Sequence, residues 1–331
     1  MKAQVIKKFG NPTVFEIAEV PKPEAIFGHV IIQVKATSVN PIDTKVRGGA
    51  VPAVAPEFPA VLHGDVAGVV VEVGEGVTEF KVGDEVFGCA GGFKGTGGAL
   101  AEYMLADAQL LAPKPKNLTM SQAAALPLVT ITAWESLYNR ANVQNGQTVL
   151  IHAATGGVGH VAIQLAKLAG AKVFTTASSE EKLSIGKRLG ADVAINYREQ
   201  TVEEYVKEHT GGKGFDVVFD TVGGENLDRS FQAAATYGTV LAIAARSSHD
   251  LSPLHAKALS LHITFMLLKV MNKEQRQEYG KILREVSNLV EEGKLQPLVD
   301  ERTFNFDQVK EAHSLLESNK AIGKIVLINE W

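Results

Sequence analysis

One cysteine, Cys89, occurs in the 331 residues, which excludes an intramolecular disulfide and any structural zinc site built from several thiolates. A lone thiol of this kind reads as a small buried apolar residue. No apolar run approaches the ~20 residues that span a bilayer, and no hydrophobic stretch of signal-peptide length follows the lysine-bearing start MKAQVIKKFG. The expected compartment is the cytoplasm, with no membrane partner. Charge of one sign is never concentrated: the formal net charge is −4, and basic and acidic residues are interspersed, leaving no block to attract nucleic acid. Nine histidines occur, and none is paired at ligand spacing in a setting that suits a metal. Internal repeats, low-complexity segments and long linkers are also missing.

What is present is the material for a core. Hydrophobic residues make up 45% of the chain, and its length suits about two domains of ~100–200 residues each. The first third is strand-like. HVIIQVKATSV (29–39), GDVAGVVVEVG (64–74) and VGDEVFG (82–88) are β-branched and bounded by Gly, Pro or Asp, which predicts a mostly antiparallel β domain. From Ser121 the texture changes. SQAAALPLVTITAWESLYNRA has helical spacing with a serine cap, and strands then alternate with helices. TVLIHAA (148–154), KVFTTA (172–177), DVAIN (192–196), DVVFD (216–220) and GTVLAIA (238–244) are apolar runs of strand length, as strands buried on both faces require. GHVAIQLAKLAG, SSEEKLSIGKRLG, TVEEYVKEHTGG and ENLDRSFQAAATYG lie between them and predict helices ending near glycine. This alternation predicts a doubly wound parallel sheet. A helix over 272–295, another around FDQVKEAHSLLESNKA and a final strand GKIVLI follow.

The segment HAATGGVGHVAIQLAK (152–167) joins the first of those strands to its helix through a glycine turn. A dinucleotide fingerprint wants glycine first, third and sixth, and the positions here hold Ala154, Gly156 and Gly159. The N–H groups and helix dipole at Gly157 and Val158 suit a pyrophosphate, Gly156 admits close phosphate approach, and Gly159 lets helix and strand pack closely. Ala154 is compatible if its φ stays negative. NAD enzymes place a carboxylate about 20 residues onward for the ribose 2′-hydroxyl, whereas the residues here are Ala177, Ser178 and Ser179, with Lys182 one turn on. A serine hydroxyl with a lysine ammonium suits a 2′-phosphate, so the pattern favours NADPH. Ser178 or Ser179 can also cap the following helix, and both roles can coexist.

At this point the residues resemble a known family, the zinc-independent quinone oxidoreductase branch (zeta-crystallin-like) of the medium-chain dehydrogenase/reductases. The resemblance spans the chain: NPIDTKVRGG (40–49), HGDVAGVVVEVGEGVTEFKVGDEVFG (63–88), AAALPLVTITAWESL (123–137), HAATGGVGHVAIQLAK, LGADVAINYRE (189–199), FDVVFDTVGG (215–224) and the closing AIGKIVLI. It implies an α/β fold: a GroES-like β domain plus an inserted Rossmann domain, with residues 1–121 and 269–331 forming the catalytic domain and 122–268 the nucleotide-binding domain. It also implies an active site in a cleft and a homodimer. In this family Ala commonly replaces the first glycine of the turn. By resemblance, Lys182 and Tyr197 match residues that contact the 2′-phosphate, and Lys320 lies near a basic residue with the same duty. Thr221, Ala244, Met266 and Leu267 fall where the family's backbone lines the nicotinamide. Metal-bearing relatives hold zinc with a cysteine and with the histidine of a Gly-His-Glu motif; Asn40 and Gly64 stand there instead, and His63 precedes the ligand position. No metal is therefore expected.

Without a metal, hydride transfer needs an acceptor that is already electron-poor, such as a quinone or an α,β-unsaturated carbonyl. Negative charge then develops on oxygen and calls for donors, for which Asn40, Lys45 and Thr132 are the candidates. Asn40 is expected to face the cleft. NPIDTKVR resembles the Asn-Pro-x-Asp-x-Lys form of enone-reducing members, so Lys45 either binds the carbonyl oxygen or is a solvated loop charge. Asp43 is expected to bond loop backbone. Thr132 contacts either substrate or nicotinamide amide, or caps its own helix turn. Phe93, in the glycine-rich loop CAGGFKGTGG, is the one aromatic candidate near the substrate, on a lid or a long hairpin. Two other functions fit the same glycine turn: an enoyl-thioester reductase, and a non-catalytic NADPH-binding structural or regulatory protein.

Overall fold

β-Branched and small apolar residues build the first part of the chain into antiparallel strands, in a computed structural model that describes all residues, 1–331. β1 (Lys2–Ile6) pairs with β2 (Phe15–Glu19), and β3 (His29–Ser38) leads into the short helix α1 (Pro41–Arg47). β4 (Ala60–Val61) closes a three-stranded sheet on the other edge of β1. β5 (Asp65–Val73) pairs with β3 from Val30↔Val73 to Thr37↔Val66, and β6 (Glu85–Cys89), β7 (Tyr103–Asp107) and β8 (Leu111–Pro113) extend this second sheet.

α2 (Met120–Ala124) is capped by Thr119 rather than Ser121: the Thr119 hydroxyl accepts from the Gln122 N–H while the Gln122 side chain accepts from the Thr119 N–H. Pro127 has no N–H to continue that helix, so α3 (Pro127–Trp134) starts afresh and passes into a wider π-type turn over Glu135–Arg140. The chain forms two compact units, Met1–Ile131 with Leu267–Trp331, and Thr132–Met266. The first division falls beyond residue 121 because α2 packs on β3 and β5 and the Leu128 N–H is donated to the buried Asp65 carboxylate.

In the second unit the apolar runs become parallel strands. β9 (Thr148–Ile151), α4 (Gly157–Leu168), β10 (Lys172–Ala177), α5 (Glu180–Arg188), β11 (Val193–Asn196), α6 (Val202–Thr210), β12 (Phe215–Asp220), α7 (Glu225–Ala233) and β13 (Ala234–Ala242) follow in turn. α8 (Ser252–Lys257) and β14 (Ser260–Ile263) complete it. The six strands lie in the order β11-β10-β9-β12-β13-β14, and the reversal between β9 and β12 is the switch point of a Rossmann sheet. Leu150, Phe174 and Val218 pack with Tyr205 of α6 and with Leu227 and Phe231 of α7. Two elements differ from expectation. Ala234–Gly238, expected as the end of a helix, is the start of β13, and β14 was not anticipated because its half-exposed Leu-His-Ile lacks a buried run.

Back in the first unit, α9 (Leu267–Met271) and α10 (Arg276–Glu291) follow; α10 starts later than the 272–295 pattern because Asn272 caps a separate tight turn. β15 (Phe304–Asn305) runs parallel to β16 (Val326–Ile328), with α11 (Val309–Glu317) between them, and β16 joins the end of β3 through Val326↔Ser38. No helix is long and apolar enough to cross a membrane.

Two buried imidazoles join α11 to this sheet. The Thr37 hydroxyl donates to the Asp65 carbonyl at 2.5 Å, so it accepts from His63 Nδ1–H at 3.3 Å. His63 Nε2 then accepts from His313 Nε2–H at 2.8 Å, and His313 Nδ1 accepts from Arg47 at 3.2 Å. Both rings must be neutral, since a proton on either sets donor against donor. Burial pushes His63 down to about 3 and His313 well below its usual range. His152 in the other unit is likewise lowered to about 4 by burial.

These imidazoles fix a pH dependence. Their folded values lie below the unfolded value near ~6.5, so their contribution to stability is full above ~6.5 and is lost as pH falls toward about 3. Asp43, raised by burial to about 7, opposes them between ~4 and 7. Urea unfolding at pH 8, 6.5, 5.5 and 4.5 should show falling stability below ~6.5, at up to ~1.4 kcal/mol per pH unit for each imidazole. A stability that is flat or rising down to pH 4.5 would contradict neutral buried rings.

Candidate active and cofactor site

The glycine turn begins where β9 ends. Gly156 precedes α4 with φ −74°, Gly157 is its first residue, and the N–H groups of Gly157, Val158 and Gly159 donate to no other protein group. They are therefore available to an anion at the helix N-terminus. Gly159 must be glycine, because a Cβ would overlap the Ala153 carbonyl. The left-handed position is Ala153, with φ +60°, while Ala154 lies outside that region, is fully buried and faces Gly186 of α5. Ala154 thus fits as a small packing residue and does not carry the turn.

At the end of β10, Ala177 is followed by serines with different tasks. Ser179 caps α5, its hydroxyl accepting the Lys182 N–H at 3.4 Å, whereas the Ser178 hydroxyl has no protein partner. The Lys182 ammonium is likewise unpaired, and Tyr197, just past β11, is 48% exposed with a free hydroxyl. A cavity of about 540 Å³ opens at this edge of the sheet, lined by His152, Thr176, Tyr197, Asn226 and Arg229 among others. A free hydroxyl, a free ammonium, a phenol and open backbone donors fit a phosphorylated dinucleotide.

Around β12, the Thr221 hydroxyl donates to the His152 carbonyl at 2.7 Å, so that side chain serves the turn. Asp220 Oδ1 accepts from the Val222 and Gly223 N–H groups and from Asn226. Ala244 is half-buried, and Met266 and Leu267 are buried, on either side of the division between units. Lys320 belongs to the first unit, in the turn before β16, with an exposed ammonium.

The first unit holds a buried ionic cluster that was not anticipated. Lys324, 3% exposed, places its ammonium 3.6 Å from Asp65 Oδ2, and donates to the Val39 carbonyl at 3.0 Å and to Asn40 Oδ1. Asp65 Oδ2 accepts from Ser38 and from the Asn40 amide, each at 2.8 Å, and Oδ1 accepts from the Leu128 N–H at 2.8 Å. Asn40 is therefore not a donor facing a cleft: it is fully buried and its amide is committed at both ends. Asp43 accepts the Asn40 N–H at 2.7 Å, the backbone role expected of it. Burial pushes the Lys324 ammonium below its ordinary value, while Asp65 and Asp43 oppose that. The available signal was a carboxylate directly after Gly64 and a lone lysine in the closing apolar segment.

Lys45 sits on the exposed side of α1 with no partner. Thr132 is buried on α3, and its carbonyl accepts from Ser136. Phe93 does not line an open site. It is 1% exposed and presses on Gly64, where a Cβ would meet the Phe93 ring, Cys89 Sγ and the Gly91 carbonyl. Gly92 and Gly98 pack on the backbone of residues 62–63, so this loop lies flat against β4 and β5 and is no lid.

The residues present do not fit zinc. The positions of the cysteine and histidine ligands hold an amide and a glycine backed by Phe93, and a buried ammonium already occupies the cation's electrostatic place. Burial and the neighbouring carboxylates also push the Cys89 thiol well up, away from the thiolate a metal requires.

Removing the ammonium leaves Asp65 uncompensated, so Lys324→Met should cost about 3–5 kcal/mol in urea unfolding. Adding Asp65→Asn should recover part of that loss. A double variant no more stable than Lys324→Met would show that charge balance is not what the pair provides.

Known families match both units: residues 27–116 fit the alcohol dehydrogenase GroES-like domain, and residues 189–327 a model described as zinc-binding dehydrogenase. The rat quinone oxidoreductase is 32% identical, covering 99% of this chain and 98% of that protein. The NADPH-dependent alkenal/one oxidoreductase of Arabidopsis thaliana chloroplasts is 35% identical over 99% of this chain and 79% of its own. The crystal structure of the Escherichia coli quinone oxidoreductase complexed with NADPH superposes with a TM-score of 0.88 at 30% identity, covering 99% of this chain and 100% of that one. With full-length likeness of this kind on top of its own sheet order and glycine turn, the chain belongs to the zinc-independent quinone oxidoreductase family of the medium-chain dehydrogenase/reductases.

Proposed function

We propose that the protein is an NADPH-dependent, zinc-independent oxidoreductase that reduces quinones or α,β-unsaturated carbonyls. The carrying observation is the end of β10, where Ser178 and an unpaired Lys182 ammonium stand in place of a ribose-binding carboxylate. The names of the rat and Arabidopsis relatives support the acceptor class. NADPH, when bound, supplies the hydride. Gly156, Gly157, Val158 and Gly159 hold its pyrophosphate, and Ser178, Lys182, Tyr197 and Lys320 take the 2′-phosphate. Thr221, Ala244, Met266 and Leu267 line the nicotinamide.

Lys45 is the donor to the acceptor's carbonyl oxygen, where its ammonium stabilises the charge that develops, and solvent completes protonation. Thr132 supplies a second hydroxyl donor. Asn40 acts one step removed, holding the start of α1 through Asp65 and Lys324. In this reading the unit Met1–Ile131 with Leu267–Trp331 is the catalytic domain and Thr132–Met266 the nucleotide domain. The protein works in the cytoplasm as a homodimer; the free edge of β14, with Ile263 and Phe265 partly exposed, supports self-association.

NADPH absorbance followed with a naphthoquinone, an alkenal and a crotonyl thioester tests the reading. Turnover with either of the first pair is expected. Turnover with the thioester alone would make the protein an enoyl-thioester reductase, and tight NADPH binding without turnover would make it a non-catalytic binder. NADPH should outcompete NADH at least tenfold, about 1.4 kcal/mol. Lys182→Ala should erase most of that preference, and equal use of both cofactors by the unaltered protein would refute the phosphate site. Lys45→Ala should lower enone turnover about 10- to 100-fold with NADPH affinity intact; unchanged turnover would reduce Lys45 to a solvated charge.

A further inference from the structure

Outside every residue assigned so far, Ser247, His249 and Asp228 form a hydrogen-bonded series in the second unit. His249 Nε2 lies 2.6 Å from the Ser247 hydroxyl oxygen, and His249 Nδ1 lies 2.9 Å from Asp228 Oδ1. An ionised carboxylate can only accept, so Nδ1 carries the proton, and Nε2 of the neutral ring accepts from the serine. The imidazole is sheltered, with its side chain 8% exposed and its ring 6.2 Å from Phe231 at 84°. Asp228 sits on the rigid α7, whereas Ser247 and His249 share the segment between β13 and α8. Ser247 itself is exposed.

Two features separate this from a simple tether. The His249–Asp228 contact alone would fasten the segment, yet the ring's other nitrogen is spent on an exposed hydroxyl. In addition, none of the backbone N–H groups of residues 245–250 donates to another protein group. Unpaired amides beside the serine are the kind of donor that a tetrahedral oxyanion requires. A nucleophile, a base and a group fixing the base are recognised by geometry and roles, whatever their order along the chain.

We propose that Ser247, His249 and Asp228 form a second catalytic site that hydrolyses small esters with good leaving groups. The Ser247 oxygen bonds to the acyl carbon while His249 Nε2 takes the hydroxyl proton. The ester C–O bond breaks, and that proton passes to the departing alkoxide or phenoxide. Water then attacks the acyl-serine, giving its proton to His249, and the carboxylic acid leaves as Ser247 regains its hydrogen. No oxidant, reductant or nucleotide is consumed. The nucleophile's exposure limits the binding energy available, so activated phenyl esters of short acids are the expected class rather than extended substrates.

The test uses the full-length protein with p-nitrophenyl acetate and no nucleotide, so its outcome is independent of the reductase reading. Repeated turnover is expected. Ser247→Ala should lower kcat/KM at least ~100-fold, and Asp228→Asn should lower it by at least ~10-fold, with the thermal midpoint of Ser247→Ala unchanged as a check on folding. A fluorophosphonate probe should add its mass at Ser247 in peptide mapping. Hydrolysis that stops after one acylation, survives Ser247→Ala, or accompanies labelling at another residue would overturn the proposal, as would the absence of turnover.

Discussion

The ammonium of Lys324 is the point on which the first unit is fastened. A charge taken out of water must be surrounded by acceptors, and the acceptors found here come from two separate parts of the chain. Val39 and Asn40 lie between β3 and α1, and Asp65 opens β5. Asp65 in turn takes the N–H of Leu128 on α3. The requirement to satisfy one buried cation therefore sets the end of β3, the start of α1, the start of β5 and the start of α3 relative to one another. Hydrophobic burial supplies the bulk of the stability but would tolerate small displacements among these elements; the ionic cluster does not.

The same cluster divides the chemical labour. Here the organising charge is covalently attached and buried, bonded to the Val39 carbonyl and Asn40 and paired with Asp65, so it is not presented to a carbonyl oxygen. Under the proposed function, polarisation falls to a different residue, one that is free. Lys45 meets that condition because α1 exposes it while burying Asp43, Val46 and Arg47.

Local patterns were legible in the sequence, and distant pairings were not. Apolar runs of strand length separated by amphipathic helices specify a parallel sheet, and β9 to β13 follow them closely, with the glycine turn at the predicted junction. The edge strand β14 escaped because an edge strand need not be apolar on both faces. Thr119 displaced Ser121 as a cap because the reciprocal Gln122 bond decides between neighbouring hydroxyls. Asn40 was placed correctly along the chain and misjudged in orientation, since its partner Lys324 lies 284 residues away. Phe93 differs for a related reason: a glycine-rich loop suggests mobility, but Gly92 and Gly98 let this one lie on the backbone of residues 62–63. Ser178 and Lys182 follow β10 within one turn, so their proximity needed no long-range information, whereas Tyr197 was reached only through the family resemblance.

β16 adds a constraint of timing. It completes the edge of β3 through Val326↔Ser38, and Lys324 arrives with it, after all of the second unit has been synthesised. While a ribosome is still extending the chain, Asp65 and Asn40 wait without their counter-charge and the β3 edge stands open. The second unit has every strand of its sheet within one uninterrupted stretch and can close during synthesis. The sheet of the first unit thus cannot be completed until the end of the chain has been synthesised.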